Sequence, residues 1–127
     1  MKSFSIGWGS SKNPKKQRKY RYNAPLHIKR KLTNAHLSKE LRVKYKRRSL
    51  GLKKGDKVKV MRGGFKGHVG KVDRVDLKKS RIFLEGIEII KKDGTKTTRP
   101  IAPSNLLITE LNLDDKMRKK ILERKIK

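Results

Sequence analysis

The central stretch KKGDKVKVMRGGFKGHVGKVDRVDLKKSRIFLEG, residues 53–86, combines short apolar alternations with a glycine-rich interruption. In it Val58 and Val60 alternate with lysines, as expected for a strand that is buried on one face only. After a turn-rich interval, Ile82 and Leu84 alternate in the same way. We therefore predict short strands at both places, with the valine-rich run between them as a further strand.

The valines of that middle run, HVGKVDRVD, do not keep strict period two, so we predict a bend or bulge near Gly70. The isoleucines of GIEIIKK predict a fourth strand. Asp93 and Gly94 then tolerate positive φ in a tight hairpin turn before a fifth run, TKTTRPIA, whose prolines place it at an edge or end it. Short strands separated by turns at regular intervals predict a mainly β fold with a small barrel over residues 52–111.

The segments before the barrel are basic and less regular. Residues 1–24 contain scattered Gly, Ser, Asn and Pro, so we predict an irregular N-terminal tail without helix or strand. Residues 25–51 form a basic extension in which Ser38 is placed to cap a short helix. Leu41 and Tyr45 would share one face of that helix, and we expect one or two turns.

Residues 112–127 predict a basic C-terminal helix. Asn112 is a candidate N-cap, and Leu113, Met117 and Ile121 recur at fourfold spacing on one face. The opposite face is almost wholly cationic and contains Lys116, Arg118, Lys119, Lys120, Arg124 and Lys125.

The chain carries far more positive charge than its own acids can neutralise. Its 127 residues include 38 Lys and Arg against 11 Asp and Glu, a formal net charge of +27, and only 33% are hydrophobic. Residues 1–54 hold 18 of these cations and a single acid, Glu40. So little apolar content fills one small core, and so much self-repulsion predicts a polyanionic partner. The first half is the part least able to fold alone.

Other classes of protein are disfavoured by the sequence. Cysteine is absent, which excludes disulfides and the usual structural zinc sites. The longest apolar runs fall far short of the roughly 20 residues that span a bilayer, and the amino terminus has no apolar region of the secretory kind. We therefore expect a cytoplasmic protein with no membrane partner, no cofactor and no small-molecule substrate.

Residues 53–86 resemble a KOW motif, which consists of a strand, a glycine-rich loop, a second strand and a closing apolar segment. KOW motifs occur in ribosomal proteins and in transcription elongation factors, so only the flanking segments distinguish between these two classes. NPKKQRKYRYNAPLH and HLSKELRVKYKRRSL before the motif, and IAPSNLLITELNLDDKMRKKILERK after it, resemble the archaeal large-subunit ribosomal protein family numbered twenty-four, whose eukaryotic relatives are numbered twenty-six. The resemblance covers roughly residues 12–125.

This resemblance implies an SH3-like barrel, early binding to the 5′ region of the large-subunit rRNA during assembly, and a position beside the peptide exit tunnel of the ribosome. Neighbouring large-subunit proteins would be further partners. The alternative is a KOW-containing transcription elongation or RNA-processing factor, which would need a further folded domain that residues 1–50 do not accommodate. An RNA-modifying enzyme would need a cofactor motif and a cleft, and the sequence shows neither.

The sharpest local signal for RNA contact is the loop that follows the first predicted strand. Closely spaced glycines let backbone N–H groups approach a phosphate or a base, and the basic residues add charge. Phe65 has two interpretations: it stacks on an unpaired base, or it folds back onto the barrel. The loop lacks the ending of a nucleotide-binding P-loop. The predicted RNA-binding residues here are Arg62, Gly63, Gly64, Phe65, Lys66, Gly67 and His68.

Two basic clusters lie in the N-terminal half. We expect them to bind rRNA phosphates and release counterions, although a run of charge is ordinarily only a solvated face. Tyr20 and Tyr22, within the first cluster, either stack on bases or pack on the protein itself. The predicted RNA-binding residues of this half are Lys15, Lys16, Arg18, Lys19, Tyr20, Arg21, Tyr22, His27, Arg30, Lys44, Lys46, Arg47 and Arg48.

Neither a catalytic site nor a metal site is predicted. The three histidines are isolated from one another and have no cysteine nearby. Two pairs of acids, Glu85 with Glu88 and Asp73 with Asp76, are close enough in sequence to suggest acid–base pairs. On strands we expect them to face solvent or to pair with lysine and arginine. The sequence therefore predicts an RNA-binding protein that is not an enzyme.

Overall fold

A β-sheet forms the centre of the computed structural model, which describes residues 4–124 and residue 126. The strands are β1 (Asn34–Leu37), β2 (Ser49–Gly51), β3 (Lys57–Val60), β4 (Val69–Asp76), β5 (Arg81–Leu84), β6 (Glu88–Ile90), β7 (Lys96–Thr98) and β8 (Leu106–Glu110). Six of them make one sheet in the order β2-β1-β8-β3-β4-β5, and β6 and β7 make a separate hairpin. Only β1 and β8 run parallel among the described neighbours in the sheet; the other pairs are antiparallel.

Helices accompany the sheet at both ends of the chain. Within the described residues they are α1 (Pro14–Asn23), α2 (Leu26–Leu32), α3 (Lys39–Tyr45) and α4 (Lys116–Glu123). Short 3₁₀ turns lie at Ile6–Ser10, called the leader turn below, and at Pro103–Asn105. In the part of the chain that the structure describes, no helix has the length and apolar character to cross a membrane.

One cluster of buried side chains holds the sheet together, and every strand of the six-stranded sheet contributes to it. The predicted alternation is confirmed in β3 and β5, where Val58, Val60, Ile82 and Leu84 are buried. Lys59, between the two valines, is exposed. Burial of these apolar surfaces is the main favourable contribution to folding in so small a core.

The predicted small barrel is supported only in part, because the sheet that forms the β-rich centre is open. Its edge strands β2 and β5 do not pair with each other in the described residues. The predicted β-rich centre is confirmed, but the N-terminal extension contributes β1 and β2 as well as helices, which makes the fold mixed α and β. Ala35, Leu37 and Leu50 of these two strands are buried in the common core. Residues 52–111 therefore do not build the core alone.

The predicted irregularity of β4 is present but lies slightly later. Gly70 pairs regularly with Val58, whereas the register against β5 shifts between Val72 and Arg74. Gly70 has a different reason to lack a side chain: a Cβ there would lie 2.9 Å from the carbonyl oxygen of Glu85. The glycine permits close approach of two backbones.

The hairpin turn predicted after the fourth strand is confirmed. Gly94 has a φ of +84°. The carboxylate of Asp93 accepts hydrogen bonds from the hydroxyl and then the backbone N–H of Thr95, and these two bonds hold the pKa of Asp93 below its ordinary value. The fourth predicted strand, β6, begins at Glu88, one residue later than predicted. Ile87, just before it, is buried, whereas Ile89 within it is 42% exposed. The β6–β7 hairpin thus projects from the core.

An α-helix, α1, forms where the sequence predicted an irregular tail. Asn13 caps it by accepting a hydrogen bond from the backbone N–H of Lys15 at 3.0 Å, and Pro14 occupies the first turn, where a missing N–H does no harm. The glycines and serines that suggested irregularity precede this cap. Because α1 has no buried residue, no apolar period marks it in the sequence.

The short helix predicted after Ser38 is confirmed as α3. The Ser38 hydroxyl accepts a hydrogen bond from the backbone N–H of Leu41, Tyr45 is buried, and Lys46 ends the helix in the left-handed region with a φ of 48°. A second helix in this extension, α2, was not predicted. It buries a single side chain, Ile28.

The C-terminal helix forms, but it starts later than predicted. α4 begins at Lys116, and its N-cap is Asp115, which accepts a hydrogen bond from a first-turn backbone N–H at 2.8 Å. Asn112, the predicted cap, instead accepts one from the backbone N–H of Asp114 at 3.0 Å in the preceding turn. Of the predicted cationic face, Lys125 lies outside the described residues.

Met117 and Arg118, which are neighbours in α4, lie on the faces opposite to those predicted for them. Met117 is 58% exposed, whereas Arg118 is only 6% exposed. Arg118 lies inside because its guanidinium donates two hydrogen bonds of 2.6 Å, one to each carboxylate oxygen of Asp56. Leu122, one turn later on the same side, is buried as well.

Asp56 is fully buried, and its carboxylate has several partners. Besides Arg118, it accepts hydrogen bonds from the backbone N–H groups of Lys53 and Asn112, each at 2.9 Å. Arg118 also donates to the backbone carbonyls of Asn112 at 2.8 Å and Gly51 at 3.1 Å. These bonds connect the end of β2, the approach to β3 and the segment before α4. Such a bidentate pair fixes geometry as well as contributing energy.

We predict that Arg118→Met lowers the free energy of unfolding by about 3–5 kcal/mol, because it leaves the buried carboxylate of Asp56 without its counter-charge. Denaturant unfolding followed by circular dichroism measures the change. Lys119→Met is the matched control on the exposed side of the same helix, and should stay within about 0.5 kcal/mol of the parent protein. Equal stability of the two variants would show that the ion pair does not hold α4 in place.

Candidate nucleic-acid interface

Most of the positive charge has no counter-charge within the protein. In the part of the chain that the structure describes, the ion pairs with carboxylates involve Lys53, Lys54, Lys57, Lys96 and Arg118. All but the last are surface pairs, which contribute little. The surface therefore carries a large excess of cations that are available to an external polyanion.

Part of this excess surrounds an open groove of about 990 Å³ between α2, β2, β4 and α4, called the basic groove below. The apolar part of its lining is formed by Leu50, Leu52, Val75, Leu77 and Ile121. Its basic side chains, apart from the buried Arg118, are His27, Arg30, Lys31, Arg47, Lys53, Lys54 and Arg74.

Helix α2 forms one wall of the basic groove. Ile28 is buried and anchors the helix, so that the neighbouring His27, Arg30 and Lys31 are exposed and line the groove. The hydroxyl of Thr33 donates to the carbonyl of Arg30 at 2.8 Å and closes the helix. The predicted residues His27 and Arg30 are thereby brought together with Lys31, which was not predicted.

Arg47 is the most constrained cation of the groove. The left-handed backbone of Lys46 turns the chain between α3 and β2, and Arg47 lies half-buried in the lining. Its Nε is buried and has no hydrogen-bond partner in the described residues. Buried donors almost always have an acceptor, so this unsatisfied N–H is an unusual feature of the groove lining.

The rest of the second predicted cluster does not line the groove. Lys44 lies over the ring of Tyr45, with its Nζ 5.4 Å from the ring centroid, while Lys46 and Arg48 are exposed. The cluster therefore divides, and only Arg47 meets the predicted residues of α2.

The two acids of the basic groove are neutralised locally. Asp115 accepts a hydrogen bond from the Lys53 ammonium at 2.8 Å, and this bond, followed by one from the backbone N–H of Met117, holds the pKa of Asp115 below its ordinary value. The Oδ1 atom of Asp73 lies 3.8 Å from the Nζ atom of Lys54. The cations of α2, Arg47 and Arg74 thus keep their positive charge unopposed.

The glycine loop, residues 62–68, connects β3 to β4. It is held by hydrogen bonds from the backbone N–H of Gly67 to the carbonyl of Val60 at 2.8 Å and from that of Lys66 to Gly63 at 3.1 Å. Lys66 is exposed, as are the first three residues of the loop. Phe65 is half-buried and packs against the core, which favours the second of its two predicted interpretations. The ring of His68 contacts the carbonyl oxygen of Glu85 at 3.3 Å.

Helix α1 carries the first predicted cluster on a separate surface. Lys15, Lys16, Arg18, Lys19 and Arg21 are all exposed. No acid lies in the first turn of this helix.

The leader turn packs on α1 through side chains that the sequence left unexplained. The side-chain amide of Gln17 donates to the carbonyls of Trp8, Gly9 and Ser11 at 3.2, 3.0 and 2.8 Å. The ring of Tyr20 lies 5.3 Å from that of Phe4, so Tyr20 packs on the protein. The predicted Tyr22, by contrast, is 72% exposed.

Several basic residues at these surfaces were missed by the sequence analysis. Lys31, Lys53, Lys54 and Arg74 line the basic groove. Lys31 adjoins the predicted Arg30, and Lys53 and Lys54 are adjacent, but with Arg74 they come from three segments that are distant in sequence, so no spacing signals that they meet. Among the described residues, no three His, Cys, Asp or Glu side chains are arranged to hold a metal ion.

Comparison with known proteins points to a single family of ribosomal proteins. Over residues 11–125 the chain matches the family of ribosomal proteins described as L26 in eukaryotes and as number twenty-four in archaea. It is 54% identical over 114 residues to the large ribosomal subunit protein uL24 of Methanothrix thermoacetophila, covering 90% of this chain and 98% of that protein. It is 53% identical over 112 residues to the large ribosomal subunit protein uL24 of Methanospirillum hungatei, covering 88% and 93%.

The matched region includes both flanks as well as the KOW-like centre, as the sequence resemblance implied. A ribosomal family is structural and not enzymatic, so the expectations of a non-enzymatic protein of the cytoplasmic ribosome are confirmed. The chain belongs to the family of ribosomal proteins that comprises the eukaryotic members numbered twenty-six and the archaeal members numbered twenty-four.

Proposed function

We propose that this chain is a structural constituent of the large ribosomal subunit that binds large-subunit rRNA, with the basic groove as a principal contact. The cations around the groove that have no counter-charge among the described residues, Arg30, Lys31 and Arg47, are the observation that carries the proposal. A phosphate backbone would neutralise Arg47 and the adjacent cations of α2 at the same time. Planar guanidinium groups are well suited to bind phosphate in this way.

The composition of the groove favours a nucleic-acid backbone as its occupant. Cations surround an apolar lining, and an RNA strand presents charged phosphates together with less polar sugar faces. Contacts of this kind fix position and orientation, whereas sequence is read elsewhere. Recognition in the groove is therefore of RNA shape and phosphate spacing.

The glycine loop and α1 provide two further rRNA contacts. Following the family resemblance, the proposal includes binding to the 5′ region of the large-subunit rRNA early in assembly and a position near the peptide exit tunnel. Neighbouring large-subunit proteins complete the set of partners. The exposed cations on α1 and in the loop support contacts with RNA at these places.

We predict that Arg30→Gln combined with Arg47→Gln weakens binding to a fragment from the 5′ region of the large-subunit rRNA by at least about tenfold. The slope of log affinity against log salt concentration should fall by roughly 1.4–1.8, because two phosphate contacts no longer release counterions. Fluorescence anisotropy titrations at several salt concentrations measure both quantities.

The matched control for the groove variant is Lys119→Gln combined with Lys120→Gln, which removes the same charge from the exposed side of α4. Any loss that comes from net charge alone is shared by the two variants. Equal affinities and slopes would contradict a contact in the groove. Sedimentation of the endogenous protein with RNA polymerase instead of the large subunit would favour the transcription-factor alternative.

We also predict that rRNA binding increases the protection of residues 14–23 against amide hydrogen exchange. A ten-residue helix that packs mainly on the leader turn is marginal in water, and its clustered cations repel one another until phosphates neutralise them. Hydrogen-exchange mass spectrometry of the full chain with and without the rRNA fragment measures this. The amides of β3 and β8 provide the internal control, and unchanged exchange in α1 would argue against its role.

A further inference from the structure

A small pocket of about 170 Å³ lies beside the glycine loop. Among the described residues it shares none of its lining with the basic groove. It brings together the loop after β3, the first residue of β5 and the segment after β7, which are distant in sequence. The lining residues that matter here are Arg62, Gly63, Gly64, Phe65, Arg81 and Arg99.

The three arginines of this pocket have no counter-charge. In the described part of the chain, Arg62, Arg81 and Arg99 form no ion pair with a carboxylate, and no Asp or Glu lines the pocket. All three are exposed. Three like charges around so small a space favour an anionic ligand. Arg81 follows Lys78 and Lys79 in the sequence, whereas Arg99 has no basic neighbour within two residues.

The backbone of the loop is open toward a ligand. A Cβ built at Gly63 or Gly64 would meet no atom within 4 Å. The N–H groups of these two glycines donate to no backbone acceptor within the described residues. Gly63 has a φ of +95°, which explains its identity, but Gly64 has no such requirement. We explain the glycine at position 64 by ligand access. Consecutive backbone N–H groups form good sites for phosphate oxygens, and without a side chain these groups can be approached.

Phe65 and Arg99 form a flat surface at the pocket. Phe65 packs against the core, and the guanidinium carbon of Arg99 lies 5.8 Å from its ring centroid, within the range of a cation–π contact. The aromatic ring thus supports the arginine. Guanidinium planes stack on nucleic-acid bases, and Arg99 is exposed.

We infer that this pocket binds a single unpaired RNA nucleotide. Arg62, Arg81 and the glycine N–H groups bind its phosphate, and its base stacks on Arg99. This inference rests on the proposed rRNA-binding function and specifies which feature of the RNA the loop recognises. A space of this size does not admit a base pair, and a base within a duplex is already stacked on its neighbours.

The test compares two RNA duplexes that are identical except for one bulged 2-aminopurine nucleotide, bound by the full-length protein at one salt concentration. We expect about tenfold tighter binding of the bulged duplex, together with a change in 2-aminopurine fluorescence, because a base gains a stacking partner. Arg99→Lys keeps the charge and removes the plane, so it should abolish both the preference and the fluorescence change. Arg42→Lys, at an exposed position of α3, is the matched control and should retain both.

Equal affinity of the unmodified protein for the two duplexes would overturn the inference. So would a preference that persists in both Arg99→Lys and Arg81→Ala, whose folding is checked by circular dichroism. Failure of the rRNA-binding function looks different, since the 5′-region fragment would then show no salt-dependent, groove-dependent affinity. If binding depends on the groove but shows no preference for the bulged duplex, the inference about the pocket is wrong and the proposed function still stands.

Discussion

The buried ion pair between Asp56 and Arg118 connects three segments of this protein that are distant in sequence. The carboxylate binds Arg118 and two backbone N–H groups, while the guanidinium binds two backbone carbonyls. The connected segments are the end of β2, the approach to β3 and the entry to α4. A buried pair of this kind stabilises little relative to apolar residues, but it specifies one arrangement of the elements that meet there. One of those elements, α4, is a wall of the basic groove.

The shape of the groove therefore depends on an internal charge pair, whereas its affinity depends on charges that have no internal partner. Asp73 and Asp115 neutralise only their own lysines, and the cations of α2 together with Arg47 remain unopposed. Bringing these cations together raises the energy of the free protein, since like charges repel. Under the proposed function, a phosphate backbone in the groove would remove that repulsion, so the excess of charge would favour the complex.

The sequence predicted those features that depend on local patterns. The alternation in β3 and β5, the Ser38 cap and the turn at Gly94 each follow from neighbouring residues and are confirmed. The helix α1 was missed because it buries nothing, and β1 and β2 because runs of three and four residues gain stability only by pairing with each other and with β8. The exchange of Met117 and Arg118 has a non-local cause as well. It depends on a carboxylate 62 residues away.

The candidate RNA-binding residues form two groups: those that cluster in the sequence, and those that come together only in the fold. Clusters in sequence, such as that of α1, are exposed charge, and such charge attracts phosphate without regard to sequence. Arg30 and Arg47 of the groove, and Arg81 and Arg99 of the pocket, meet only in the folded chain, because each pair comes from elements that are separated in sequence. Under the proposed function, the fold would select among RNA shapes by fixing which cations stand together. Sequence patterns reveal such residues least.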